Sequence, residues 1–421
     1  LEPTEQHVFE RVGVFAGGLD LDTAEAIVNP DDECGTDLFD ALASLVEKSL
    51  LRQEEVADLP RFSQLESIRQ YALDRLAQRG ESELLHRRLT EHIAGLVADA
   101  EPYLDRTDDE GWFDRLDAEQ DNVRAALRWA IAAPDPSLAE RVVGPVWRFW
   151  SRKGLLTEGS WWTDEVLGLA AEPSPSQAKV LLAQGSLRYW RGDYAGAETP
   201  YTQALEMYRE LGDDQGVTEA SYNLGYALMF KTPADNAGAR AAFEAALAGF
   251  READNPAMTQ STLFTIGWID MGEGQLDSAQ RLFTDALEMR SGDVRPWTGL
   301  ASVAYARGEY AQARHWLDEC VSENEQRPDL GFAIAMLEGY AAVEVADGDP
   351  ELGMQHQGAA ASLREQIGGG PPPDPTIKED QIALARSRIG DAADTALERG
   401  AALDARTALE LAVARKTAPP G

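Results

Sequence analysis

The residues able to do covalent or acid–base chemistry are few and scattered. The five histidines, His7, His86, His92, His315 and His356, form no H-E-x-x-H pair. His86 and His92 stand six residues apart, a spacing that turns them away from each other on a helix. The two cysteines, Cys34 and Cys320, are distant in sequence and show no ligand spacing. Such usage fits a reducing cytoplasm, and Cys320 falls where a small packing residue is wanted. No G-x-S-x-G occurs. Asp117, Glu119 and Asp121 invite a metal, but alternate positions on a helix diverge. A solvated face is expected there, with Asn122 or Arg124 touching the next helix. No enzymatic activity is expected of this chain, and no metal or cofactor of its own. What remains is binding. Tyr189, Tyr222, Tyr226, Phe264, Trp268, Arg295 and Tyr305 supply rings and one guanidinium. Such a set suits a peptide, or a ligand that stacks and accepts hydrogen bonds. The other use of the same rings is to fill space between neighbouring helices.

A repeat gives those residues a common direction. Gln177 to Leu205 reads QAKVLLAQGSLRYWRGDYAGAETPYTQAL. An apolar run closes on Gly192-Asp193-Tyr194, and a second follows with Ala197, Tyr201 and Ala204 on one face. That is two short helices and a tight turn. Gly192 stands where a positive φ ends a helix, and Gly185 and Ala197 are small where two helices must touch. The pattern returns. Gly267 and Gly274-Gln275-Leu276 precede Ala279, Phe283 and Ala286, and Trp297 and Gly308-Glu309-Tyr310 precede Ala313, Leu317 and Cys320. A helix pair recurring at about 34 residues is a tetratricopeptide pattern. The array is expected over 135–368 as about six hairpins. The first helix of each pair lines the concave face of such an array. With the Gly-Asp/Glu-Tyr turns as a ruler, all seven candidate residues project inward there. Between Gly225 and Ala239 the spacing is about two residues longer, so a longer turn is expected at Lys231-Thr232-Pro233. Trp147, Trp150, Trp161 and Trp162 crowd Gly154 and Gly159 in the first hairpin. They are expected to bury the join to the N-terminal part, an aromatic cage being the other possibility.

The remaining segments frame the array. Residues 1–80 read as three helices (from Glu5, Leu21 and Asp37), a short hairpin pairing Leu50-Leu51-Arg52 with Arg61-Phe62-Ser63, and a helix from Glu66 to Arg79. That order is a winged-helix layout. Its candidate recognition helix offers Asp37, Asp40 and Glu47 against Lys48 alone, the wrong chemistry for phosphates and base edges. Residues 81–134 read as two longer linker helices, the second with Trp112, Leu116, Val123, Leu127 and Ile131 on one face. Gly368 to Pro373 breaks the chain, and 369–421 is expected to supply capping helices and a tail. The expected fold class is therefore all-α, a winged-helix-like domain with a small hairpin followed by a helical linker and a tetratricopeptide solenoid. The net charge of −35 repels phosphate backbones, so direct nucleic-acid binding by this chain is not expected. No run approaches 18 apolar residues, so no membrane span or membrane partner is expected.

Taken together, several stretches resemble one family, the bacterial signal-transduction ATPases with numerous domains. The likeness is to NB-ARC/tetratricopeptide regulators related to LuxR-type and maltose-regulator-like proteins. VGVFAGGLDLDTAEAIV (Val12 to Val28), LVEKSLL (Leu45 to Leu51) and FSQLESIRQYALDRL (Phe62 to Leu76) resemble the family's winged helix. LDAEQDNVRAALRWA (Leu116 to Ala130) resembles its linker helix. Trp150, Gly154, Glu158, Gly159 and Trp162 match its first repeat, and Arg386 to Ala412 its helical close. Asp394 departs from the pattern, which usually has an aromatic there.

The resemblance implies a regulatory ATPase. Its nucleotide-binding domain, with ATP or ADP and Mg, would lie before Leu1, since no G-x-x-x-x-G-K-[ST] occurs in this chain. The chain begins at Leu1 rather than Met, so it is expected to be a piece of a longer protein. The implied partners are that nucleotide domain and a protein, peptide or small-molecule effector in the array groove. The alternative is a free-standing tetratricopeptide scaffold that docks partner proteins without a switch.

Overall fold

The structure, a computed structural model, describes residues 1–30, 33–34, 37–56, 59–104, 111–133, 135–169, 172–289, 293–323, 330–366 and 381–414. The Gly368–Pro373 break and the tail from Thr417 lie outside the described residues. The chain divides into two compact units, Leu1–Asp235 and Asn236–Gly421. Among the described residues it is all-α apart from one small hairpin, with a winged helix first and tetratricopeptide-type helix pairs after it. Among the described residues no helix is long and apolar enough to cross a membrane.

The first unit opens with α1 (Pro3–Val12), α2 (Leu21–Ile27) and α3 (Leu38–Glu47). Asp20 and Asp37 cap α2 and α3 by accepting from the backbone N–H of Thr23 and Asp40. The wing is β1 (Arg52–Val56) antiparallel to β2 (Leu59–Ser63), with Arg52 opposite Ser63. Leu50 and Leu51 stay outside it, because Leu51 is spent on the core. A single bridge from Leu19 to Phe62 ties the turn before α2 to the wing. Then come α4 (Glu66–Arg79) and α5 (Ser82–Ala100). Val8, Val12, Leu19, Leu42, Leu45 and Leu76 form the centre of the core, with the apolar faces read from the sequence turned inward.

The second linker helix is not continuous, contrary to the sequence reading. It is α6 (Trp112–Ala118) and α7 (Gln120–Ala132), broken at Glu119, whose φ of −92° and ψ of 0° leave the helical region. The break lets Glu119, itself buried, turn to the half-buried guanidinium of Arg61. Next are α8 (Pro136–Arg152) with α9 (Leu156–Leu167), α10 (Pro175–Trp190) with α11 (Tyr194–Leu211), and α12 (Asp214–Phe230). Three of the four crowded tryptophans are buried, but Trp161 is 51% exposed, so it does not help bury the join.

The second unit contains α13 (Asn236–Glu252), α14 (Pro256–Gly272), α15 (Leu276–Glu288), α16 (Arg295–Ala306), α17 (Tyr310–Glu323), α18 (Leu330–Asp347) and α19 (Pro350–Gln366). Three short helices follow: α20 (Gln381–Ile389), α21 (Ala392–Ala401) and α22 (Ala405–Ala414). A shared device packs the pairs in both units. An aromatic ring on one helix fills the place of a missing Cβ on the next. A Cβ at Gly185 of α10 would come 2.6 Å from the Tyr201 ring of α11. Phe283 of α15 fills two such places, at Gly267 and Gly299, at 2.5 and 2.7 Å. Cys320 is fully buried, and burial pushes its thiol up to about 12, as expected of a packing residue.

The tightest crossing joins α19 to α21. A Cβ on Gly400 would stand 1.9 Å from the Gln355 carbonyl oxygen, and one on Gly358 2.0 Å from that of Leu397. Gly400→Ala must therefore push two backbones apart, and should cost about 3 kcal/mol in urea unfolding of this chain. The same region buries His356 completely, with neither ring nitrogen hydrogen-bonded. Burial, then the nearby Arg314 guanidinium, holds its pKa down at about 4 against an ordinary 6.5. Between those values the unfolded chain binds a proton that the folded one refuses. Stability is therefore complete above pH 6.5 and falls as pH drops through 4, by about 3 kcal/mol in all. In His356→Leu, the loss of urea midpoint between pH 7 and pH 5 should be smaller than in the wild type.

Candidate binding surfaces and the joint at the linker helix

The break between α6 and α7 is held by a buried polar knot. Arg61 of β2 donates to Glu119 Oε1 at 2.7 Å and to the carbonyls of Gly17, Gly18 and Ala118 at 2.9, 3.0 and 3.0 Å. Asn122 of α7, fully buried, accepts from the Gly17 N–H at 2.9 Å. It donates to Gly18 O at 2.8 Å and Glu119 Oε2 at 2.6 Å. Gly18 has a φ of +76°, and a Cβ there would meet Phe62 O at 2.6 Å, so this turn admits only glycine without strain. Two residues further along α7, on its opposite side, Arg124 makes a two-pronged pair with Glu158 of α9, at 2.6 and 2.7 Å. Glu158 also accepts from the Trp162 indole at 3.3 Å. Arg124 holds the Glu158 carboxyl below the usual carboxylate range. One helix thus carries the winged helix on one side and the first hairpin on the other. The three acids that suggested a metal go separate ways: Glu119 to Arg61, Asp121 to Arg124, and Asp117 to Lys153. Among the described residues no group of three or more His, Cys, Asp or Glu is placed to hold a metal ion.

The candidate rings fall into separate groups. In the first unit Tyr189, Tyr222 and Tyr226 come together. Tyr226 lies 6.4 Å from Tyr189 and 5.1 Å from Tyr222, ring centre to ring centre. The two hydroxyls of Tyr222 and Tyr226 are 3.3 Å apart. Burial, with Tyr226 and Tyr194 nearby, pushes the Tyr189 phenol above its ordinary value. Sequence reasoning missed Tyr194 and Phe230, which complete the cluster at 5.1 Å from Tyr189 and 6.2 Å from Tyr226. Tyr222, Tyr226 and Phe230 recur every fourth residue, so the signal for Phe230 was present. Phe230 is 37% exposed and the adjacent Trp190 61%, so part of this cluster faces solvent.

In the second unit Phe264 and Trp268 are half-buried and rest on Phe283 at 5.7 and 6.0 Å. Arg295 lies over Phe264 at 5.2 Å. Its charge is balanced by Asp293, at 2.6 Å, and it donates to Ser261 at 3.2 Å. Tyr305 stands with other partners, Tyr310 at 5.6 Å and the Gln381 amide at 3.4 Å. Space filling and exposure thus coexist in these rings.

Comparison with known proteins supplies names for the parts. Residues 1–77 match the family described as winged helix-turn-helix domain, and residues 270–337 match tetratricopeptide repeat. A Mycobacterium tuberculosis protein that bears the name of an HTH-type transcriptional regulator is 29% identical over 229 residues, 52% of this chain and 26% of its own length. An uncharacterized protein of the same organism is 35% identical over 94 residues, 22% of this chain and 24% of its own. The chain therefore spans about a quarter of the length of the curated relatives it matches. Among solved structures, the STAND protein with a tetratricopeptide repeat sensor from Pyrococcus horikoshii has 13% identity and a TM-score of 0.48, covering 98% of this chain and 65% of its own. The apo form of the quorum sensor NprR from B. thuringiensis has 15% identity and a TM-score of 0.47, covering 77% and 97%.

The knot yields a direct expectation. Asn122→Ala strands the Gly17 N–H and removes a donor from Glu119, each a buried group left without its bond. The cost should be about 3 kcal/mol in urea unfolding of the first unit. Arg124→Lys keeps the charge but loses the second prong, and should cost about 1 kcal/mol.

Proposed function

We propose that this chain is the sensory and restraining part of an ATP-switched regulator of transcription. The nucleotide-binding domain lies elsewhere in the full-length protein. The observation that carries this reading is what the winged helix does with its recognition parts. Of the two arginines of its wing, Arg61 is spent inside the Arg61–Glu119–Asn122 knot and Arg52 alone stays exposed, beside Glu54 and Glu55. Its third helix presents Asp37 and Asp40 at the N-terminal end. Those features oppose contact with a phosphate backbone. A winged helix built this way serves as a joint to its neighbours, and α7 connects it to the first hairpin.

The relatives named as transcriptional regulators support the regulatory part of the reading. In this reading the exposed edge of a ring cluster within one unit takes the effector. The Asp293-balanced Arg295 favours a ligand with a flat or methylene-rich face over a bare anion at that spot. An effector shifts the switch only by the difference in its affinity for the resting and active states. The winged helix transmits that difference toward the nucleotide domain.

The full-length protein should hydrolyse ATP while this chain alone binds no nucleotide, in a phosphate-release assay and an equilibrium titration. A full-length protein that neither binds nor hydrolyses ATP would leave a docking scaffold in place of a switch. This chain should also give no sequence-specific shift of duplex DNA on a gel at low salt.

A further inference from the structure

Cations from two of the first helices meet at one carboxylate supplied by the linker. Glu101 opens a single 3-10 turn, Glu101–Tyr103, at the end of α5. Its Oε2 accepts from Lys179 of α10 at 2.6 Å, and its Oε1 stands 3.9 Å from the guanidinium of Arg148 on α8. The same guanidinium reaches Glu219 of α12 at 3.2 Å and lies over the Trp147 ring at 4.6 Å. Gly144, one turn before Arg148, makes room for the lysine. A Cβ there would come 3.0 Å from Lys179 Cγ. The side chains of Arg148, Lys179 and Glu101 are 18%, 37% and 22% exposed, so solvent reaches the group.

We propose that Arg148 and Lys179 form an oxyanion site for a carboxylate or phosphate of the effector, and that Glu101 is its tethered resting occupant. This deepens the sensor reading above and rests on it. Among the described side chains, the two cations of the site are set against the carboxylates of Glu101 and Glu219. An incoming anion that merely added itself would face both carboxylates in a chain of net charge −35. One that replaces Glu101 keeps every cation paired. A tethered competitor of this kind lowers apparent affinity by the fraction of time the site stands open. Displacement also acts on the linker, because Tyr103 of the same turn stacks on Trp112 of α6 at 5.8 Å.

The test is calorimetric titration of this chain at low salt with tetraglutamate and, separately, with inorganic phosphate. Glu101→Gln should bind at least one of them about tenfold tighter than the wild type. Lys179→Met added to Glu101→Gln should abolish the gain, and 1 M salt should weaken it. A gain with the peptide alone assigns the site to an acidic peptide. A gain with phosphate assigns it to a phosphate-bearing effector. Lys179→Met alone breaks the same pair without opening a cationic site, so it controls for lost stability by circular dichroism. Equal affinity in wild type and Glu101→Gln, no binding of either anion by folded Glu101→Gln, or a gain that survives Lys179→Met overturns the site. Failure here leaves ATP hydrolysis by the full-length protein as a separate question. Anion binding without hydrolysis would keep the site and sink the switch.

Discussion

Two helices can lie close only if one of them gives up a side chain where they cross, and the packing of both units follows from that constraint. A ring from the neighbouring helix then takes the vacated space. Tyr201 occupies the place of a Cβ at Gly185, and Phe283 those at Gly267 and Gly299. A buried ring contributes a large apolar area and a fixed direction, so each such contact sets both the spacing and the rotation of a helix pair. The α19–α21 crossing goes further, with backbone against backbone at Gly358 and Gly400. These positions tolerate no enlargement, while the opposite helix faces remain open to vary.

Polar groups do a different task in the first unit. Glu10, Glu119, Asn122 and Glu140 are buried there, at a desolvation cost that apolar residues would not incur. Glu119 and Asn122 are nevertheless fully engaged, and each reaches across a boundary between segments. Buried ion pairs are weak evidence for stability, since an apolar replacement is often as stable. Their effect here is geometric. Only one rotation of α7 satisfies Gly17, Gly18 and Arg61 on one side while Arg124 meets Glu158 on the other. The result is a single arrangement of the winged helix, α7 and the first hairpin.

The charge distribution bears on function in the same way. A chain of net charge −35 has few cations to spare, and Arg61, Arg124, Arg148 and Arg295 are each set against a carboxylate. Surface acidity opposes the approach of a phosphate backbone.

The sequence by itself determined the kinds of element and their order. Periodicity located α1 to α4, and the Gly-Asp/Glu-Tyr turns located the hairpins, because capping and turn chemistry are local. It also put Tyr222 and Tyr226 on one face of a helix, since helical spacing carries direction, while the meeting of Tyr189 on α10 with Tyr226 on α12 was decided by tertiary structure. Tertiary structure alone decided where charges met. The helix predicted through Glu119 breaks because Arg61, 58 positions earlier, offers that carboxylate a partner. Lys179 meets Glu101 across a separation of 78 positions, and nothing in local pattern marks either one. Trp161 reads like its neighbours in sequence yet faces solvent, because only one side of α9 is covered. Hydrophobic pattern repeats with the helix and can be read along the chain. An ion pair is one long-range meeting of two side chains, and only the folded chain brings them within reach.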